Sequence, residues 1–224
     1  PGVKAQVVDP LVDQPARMLV GLNRRSKEVF DVYDLDLASG ELKLVAENPG
    51  NITDWGTDND GTVRYAIATD GVNQTYLYRE SASAPFKPVL TTNFRDRFAP
   101  QGFTPDNRKL YAISNIGRDK AAVVLVDPAT AKEERVVYAR DDYDIAGVEF
   151  SKKRKVITLA NYTSWKAERH FFDETTARTF AALEKRLPGM QLMIQSSTDD
   201  EDRMVVAAFD DRTQGSRYLY DRRA

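Results

Sequence analysis

The chain contains no cysteine, which excludes disulfides along with thiolate metal sites and thiol catalysis. It has one histidine, His170, so a Ser-His-Asp arrangement within the chain would have to use it. A metal site would rest on carboxylates alone. No apolar run reaches the ~18 residues of a spanning helix, and Pro1-Gly2-Val3 opens no signal-peptide pattern. The expectation is a soluble chain that contacts no membrane, placed in the cytoplasm rather than the periplasm. The missing initial Met reads as excision from a longer protein. Neither charge sign dominates, with 32 basic and 34 acidic residues and a net charge of −2, so no nucleic-acid surface is expected. Glycines are scattered through turns and form no phosphate loop ahead of a helix. No cofactor is expected.

What the chain does have is a repeat. Met18-Leu19-Val20-Gly21, Val63-Arg64-Tyr65-Ala66, Leu110-Tyr111-Ala112-Ile113, Val156-Ile157-Thr158-Leu159 and Met204-Val205-Val206-Ala207 are five versions of one short strand, spaced 45 to 48 residues apart. Each follows a polar turn and precedes a second strand. Several short strands in a period of this length mark a β-propeller blade. The third register is the clearest: strands at 98–103, 109–114, 121–126 and 133–138, with Thr104-Pro105-Asp106-Asn107 and Asp127-Pro128-Ala129-Thr130 as turns. The stretch 121–126 is continuously apolar, as in a strand buried on both faces.

The resulting expectation is an all-β propeller domain or fragment over 1–224, with blades near 3–47, 52–91, 98–139, 145–187 and 191–221. Thr175 to Leu187 breaks the pattern with apolar Phe180, Ala181, Leu183 and Leu187 among helix formers. A short helix is expected there, capped by Thr175 or Thr176. The fifth unit stops one strand short, so the five units read as part of a larger ring. Open ends would leave apolar blade faces bare, and self-association of the isolated piece is expected.

Several strings are similar to a known family. Asn23-Arg24-Arg25, Val29-Phe30-Asp31-Val32-Tyr33, Ala66-Ile67-Ala68-Thr69-Asp70-Gly71, Gly102-Phe103-Thr104-Pro105-Asp106 and Tyr218-Leu219-Tyr220-Asp221 resemble the N-terminal propeller of bacterial prolyl oligopeptidase family serine peptidases, of the dipeptidyl or acylaminoacyl peptidase type. The resemblance implies a seven- or eight-bladed ring stacked on an α/β-hydrolase domain that carries Ser, Asp and His and cuts small peptides. This chain departs from that pattern because no Gly-x-Ser-x-Gly elbow is present; Gly215-Ser216 is the nearest fragment. On this reading the chain is a non-catalytic propeller that gates and positions small peptides for the hydrolase domain of its parent. The alternative is a free-standing TolB-like propeller that binds a protein partner.

Most other constellations read as structure. His170 lies within a strand, and Asp58-Asn59-Asp60-Gly61, Asp199-Asp200-Glu201-Asp202 and Lys152-Lys153-Arg154-Lys155 fall where turns are needed. The calcium-loop spacing is incomplete in the acidic strings, and the basic string reads as a solvated turn rather than an anion site. Asn51, Asn73 and Asn161 match the glycosylation acceptor pattern and read as chance. The second-to-third strand connections and the links between blades share one side of the sheets. They carry Arg24, Arg25, Arg95, Arg97, Arg118, Trp165 and Arg212, cations and an aromatic suited to docking or to gripping a peptide.

Overall fold

The computed structural model describes residues 2–224 and forms two compact units, Pro1–Val137 and Tyr138–Ala224. The first unit holds three antiparallel meanders. They are β1 (Ala5–Asp9), β2 (Arg17–Ser26), β3 (Val29–Asp36) and β4 (Leu42–Ala46); β5 (Ile52–Thr57), β6 (Val63–Thr69), β7 (Gln74–Tyr78) and β8 (Lys87–Thr92); and β9 (Phe98–Phe103), β10 (Leu110–Ser114), β11 (Ala122–Val126) and β12 (Glu133–Tyr138). The second unit holds two three-stranded meanders with a helix between them: β13 (Ile145–Ser151), β14 (Val156–Thr163) and β15 (Ala167–Phe171); α1 (Glu174–Arg186); then β16 (Gln191–Ser197), β17 (Arg203–Phe209) and β18 (Ser216–Asp221). In every sheet the strands lie side by side in chain order, so each sheet is a propeller blade. The helix α1 is not long and apolar enough to cross a membrane.

Apolar side chains from adjoining sheets fill the space between them. In the first unit Leu19, Val32 and Ala46 meet Trp55, Val63 and Ala66, while Tyr65, Tyr76 and Tyr78 meet Phe98, Leu110, Ala112 and Val124. The β11 run is buried on both faces as its composition requires: Val124 and Val126 join that second cluster, while Ile113 and Val123, opposite one another on the other face, are also fully buried. Gly56 is required by close approach, because a Cβ there would sit 1.8 Å from the Tyr65 ring. In the second unit Leu159, Leu192, Met204 and Val206 enclose Phe180 and Leu183 of α1.

The helix occupies the place expected for it, but Asp173 caps it rather than Thr175 or Thr176. The Asp173 side chain accepts from the Thr176 amide at 2.7 Å and the Thr176 hydroxyl at 2.8 Å. An aspartate at this position satisfies an otherwise orphaned helical N–H and complements the positive end of the helix.

A meander sends alternate connections to opposite ends of the sheet. The first-to-second strand turns gather at one end, here called the turn end. Side chains there bond across one repeat period. In the first unit Gln14 Nε2 donates to the Asp60 carbonyl at 3.0 Å. Asn59 Nδ2 donates to the Thr104 carbonyl at 2.8 Å and to Asn107 Oδ1 at 2.7 Å, and Asn107 returns a bond to Asp60 at 2.8 Å. In the second unit Ser151 donates to Glu201 and Lys153 Nζ to the Asp200 carbonyl. The separations of 45 to 50 residues are the sequence period realised as contacts.

Candidate functional site

The second-to-third strand connections and the links between sheets gather at the other end, the loop end. In the first unit its base is tied down by buried polar groups. Asp31, 1% exposed, takes two bonds from Arg25, at 3.1 and 2.9 Å, and one from the Asn48 amide at 2.8 Å. Burial pushes this carboxyl up, but Arg25 and the Asn48 amide outweigh it and hold it below the usual range. Asn48, itself buried, donates to the Ile52 carbonyl and accepts from the Gly50 and Ile52 amides. Asn115 performs the same service one link later, accepting from the Arg97 amide at 2.6 Å and donating to the Arg95 carbonyl at 2.9 Å. These bonds place the β10–β11 connection beside the 93–97 link, as the meander demands.

Above that base the loop tips are bare. Phe94 is 81% and Val72 69% exposed. The Arg95 guanidinium lies 5.4 Å from the Phe94 ring centroid, a cation–π contact that holds the charge out in water. Asp70 shapes the β6–β7 tip by accepting from the Asn73 and Val72 amides at 2.7 and 2.9 Å. Those bonds hold its carboxyl down to about 2, with the Asn73 amide the largest cause.

The sequence-selected residues therefore divide. Arg24 and Arg25 lie within β2 rather than in a loop: Arg24 sits over the Tyr33 ring, and Arg25 is the lock just described. Arg95 and Arg97 lie in the bare link, with Arg97 held through its backbone. Arg118 pairs with Glu133 at 2.5 Å, and its Nη1 is buried without a partner. In the second unit Trp165, 87% exposed, tips the β14–β15 loop with the Lys166 ammonium 5.0 Å from its ring. Arg212 lies in the β17–β18 turn, its amide donating to Asp210 at 3.0 Å.

The structure adds a cluster in the second unit that the sequence reading did not select. Arg140 is 4.7 Å from the Tyr162 ring and 5.6 Å from the Tyr143 ring, while its guanidinium forks onto Asp142 at 2.8 Å. Beside it Tyr138 stacks on His170, with centroids 3.9 Å apart and Phe172 edge-on to both. Burial pushes the His170 imidazole down, favouring the neutral ring. The available signal is Arg140 and Tyr143 in one link; Tyr162 reaches them from β14, which runs to Thr163. Flat rings and guanidinium forks of this kind suit contact with a peptide backbone or a docked protein surface.

No protein-family model matches the chain. It is 29% identical over 235 aligned residues to dipeptidyl aminopeptidase BIII of Pseudoxanthomonas mexicana, covering the whole of this chain and 32% of that protein. The chain thus spans about a third of this curated relative's length. Among solved structures it resembles prolyl oligopeptidase B from Galerina marginata, with a TM-score of 0.59 at 13% identity over 98% of this chain and 32% of that one. It also resembles TolB from Acinetobacter baumannii, with a TM-score of 0.50 at 12% identity over 97% of this chain and 54% of that one. The fold is a β-propeller. The expected likeness to propellers of prolyl oligopeptidase family peptidases is borne out.

Proposed function

We propose that the chain is the non-catalytic propeller of a prolyl oligopeptidase family serine peptidase, and that its loop ends position and size-select small peptides for an α/β-hydrolase domain outside this chain. The observation that carries this reading is whole-chain similarity to a dipeptidyl aminopeptidase of about three times its length. The loop ends support it, because Phe94, Arg95, Trp165 and the Arg140–Tyr143–Tyr162 cluster offer aromatic and guanidinium groups above a rigid base. Such groups hold a peptide in a reactive geometry without taking part in bond chemistry. The acyl transfer itself would belong to Ser, His and Asp of the hydrolase domain.

Reading the gene past the codon for Ala224 tests the assignment. A Gly-x-Ser-x-Gly elbow followed by Asp and His supports it; a stop codon overturns it in favour of a free-standing binding propeller, the reading that the TolB likeness favours. The cytoplasm is the proposed compartment, and fractionation of cells producing the natural gene product checks it.

The terminal sheets also support the proposed self-association of the isolated piece. On the face opposite its core, the β1–β4 sheet leaves Val7 60% and Leu44 47% exposed. The β16–β18 sheet leaves Met193 48% and Leu219 73% exposed. Sedimentation showing a monomer at every concentration would contradict it.

A further inference from the structure

The repeat is broken after β15, and a cavity lies beside the break. Each sheet of the first unit has a fourth strand; after β15 the chain instead forms α1, which cannot hydrogen-bond to a strand edge. At the turn end of the second unit, the first turns of α1, the β13–β14 turn and the end of β18 enclose an open cavity of about 490 Å3. That volume is in the range of small-molecule sites. Its walls include Lys153, Arg154, Thr175, Arg178, Tyr220 and Arg222 with the Glu201 carboxylate, while Asp173, Glu174 and Asp202 pair with the arginines from the rim.

The turn that supplies two of these cations departs from its sisters. Asp58-Asn59-Asp60-Gly61, Thr104-Pro105-Asp106-Asn107 and Asp199-Asp200-Glu201-Asp202 are acidic or amide-rich, whereas this one is Lys152-Lys153-Arg154-Lys155. It lies beside a helix in place of a strand.

Arg154 is committed to structure: it bonds to Asp173, to Glu201 at 2.9 Å and to the Thr176 hydroxyl at 3.2 Å. The other cations keep donors in reserve. Lys153 Nζ donates to the Asp200 carbonyl at 2.7 Å and forms no ion pair among the described residues. Arg178 and Arg222 each spend one nitrogen on a carboxylate, Glu174 at 2.5 Å and Asp202 at 2.8 Å. Because Asp173 already answers the helix end, the attraction for a ligand comes from these side chains.

We propose that this cavity binds a small organic anion through a carboxylate or phosphate group, with Lys153 and Arg178 as its main contacts and Arg222, Tyr220 and Thr175 completing the walls. Charge-assisted bonds from ammonium and guanidinium groups to an oxyanion are the strong ones, and an open cavity lets the ligand exchange. The site lies at the turn end and is independent of the peptide-handling role of the loop tips.

Calorimetric titration of the 224-residue chain with inorganic phosphate and with citrate, at low ionic strength, tests the proposal. Saturable binding of either anion is expected, with the tighter one identifying the oxyanion source. Affinity should fall at least about tenfold in the Lys153→Ala/Arg178→Ala variant and persist in Lys153→Arg. Both side chains are exposed, but Lys153→Ala also cuts the bond to the Asp200 carbonyl, so the melting temperature without anion should fall no further than in Asn59→Ala. Absence of saturable binding by both anions, or equal binding by the parent and the double variant, would overturn it.

Discussion

The two ends of these sheets differ in chemistry although the same strands run between them. At the turn end, amides, carboxylates and cations bond across one repeat period, Gln14 to Asp60 and Asn59 to Asn107 in the first unit, Ser151 and Arg154 to Glu201 in the second. At the loop end the bonds between separate segments stay at the base, on Asp31, Asn48 and Asn115, while the tips carry only local bonds such as those to Asp70 and expose Phe94, Val72 and Trp165. An array of similar blades needs one end to set spacing, and this frees the other to vary. Exposed aromatic and apolar side chains are costly to keep in water without a use, which makes the loop end the better candidate for function.

The largest expected effect is at the base of the loop end. Asp31→Ala leaves the buried Asn48 amide without its acceptor and takes from Arg25 the nearer of its two carboxylates, and should destabilise the first unit by about 3 kcal/mol in urea unfolding. If the cost is negligible, the base is not the lock described here. Next, Arg154→Ala removes a guanidinium that joins the α1 cap to the β16–β17 turn. Its partners are only partly buried, so about 2 kcal/mol is expected from the second unit's unfolding midpoint. Asn59→Ala, which cuts one turn-to-turn link near the surface, should cost about 1 kcal/mol. Phe94→Ala and Trp165→Ala should each change stability by less than about 0.5 kcal/mol, because both rings stand in solvent; larger losses would erase the contrast between tips and base.

Acid should loosen the β6–β7 loop tip. The Asp70 carboxyl is lowered in the folded chain, to about 2, so its contribution is fully present above the ordinary carboxylate pKa of about 4. It is lost as pH falls through the folded value. Amide resonances of Val72 and Asn73 followed by NMR should titrate near pH 2.

Much of this was legible in the residues. The strands at 98–103 and 133–138 and a helix close to 175–187 follow from turn chemistry, apolar runs and helix formers, which act locally. The cap is expected at Thr175 or Thr176 from sequence, and only the third dimension shows the Asp173 carboxylate reaching the Thr176 amide. Arg24 and Arg25 look like loop cations in sequence, yet β2 runs on to Ser26 through an irregularity after Leu22 and takes them into the strand, where Arg25 answers a buried carboxylate. The Arg140–Tyr143–Tyr162 cluster and the cavity beside α1 depend on which strand ends meet, information that no spacing within one repeat contains.

The central claim is that the loop tips handle peptide while the turn end holds the array. It is tested most directly by kcat/KM of the natural full-length gene product on small peptide substrates, comparing Phe94→Ala/Trp165→Ala with Asn59→Ala. A drop of about tenfold or more for the tip variant at an unchanged unfolding midpoint, with near-parent kinetics for Asn59→Ala, is the predicted result. Unchanged kinetics for the tip variant would contradict the claim.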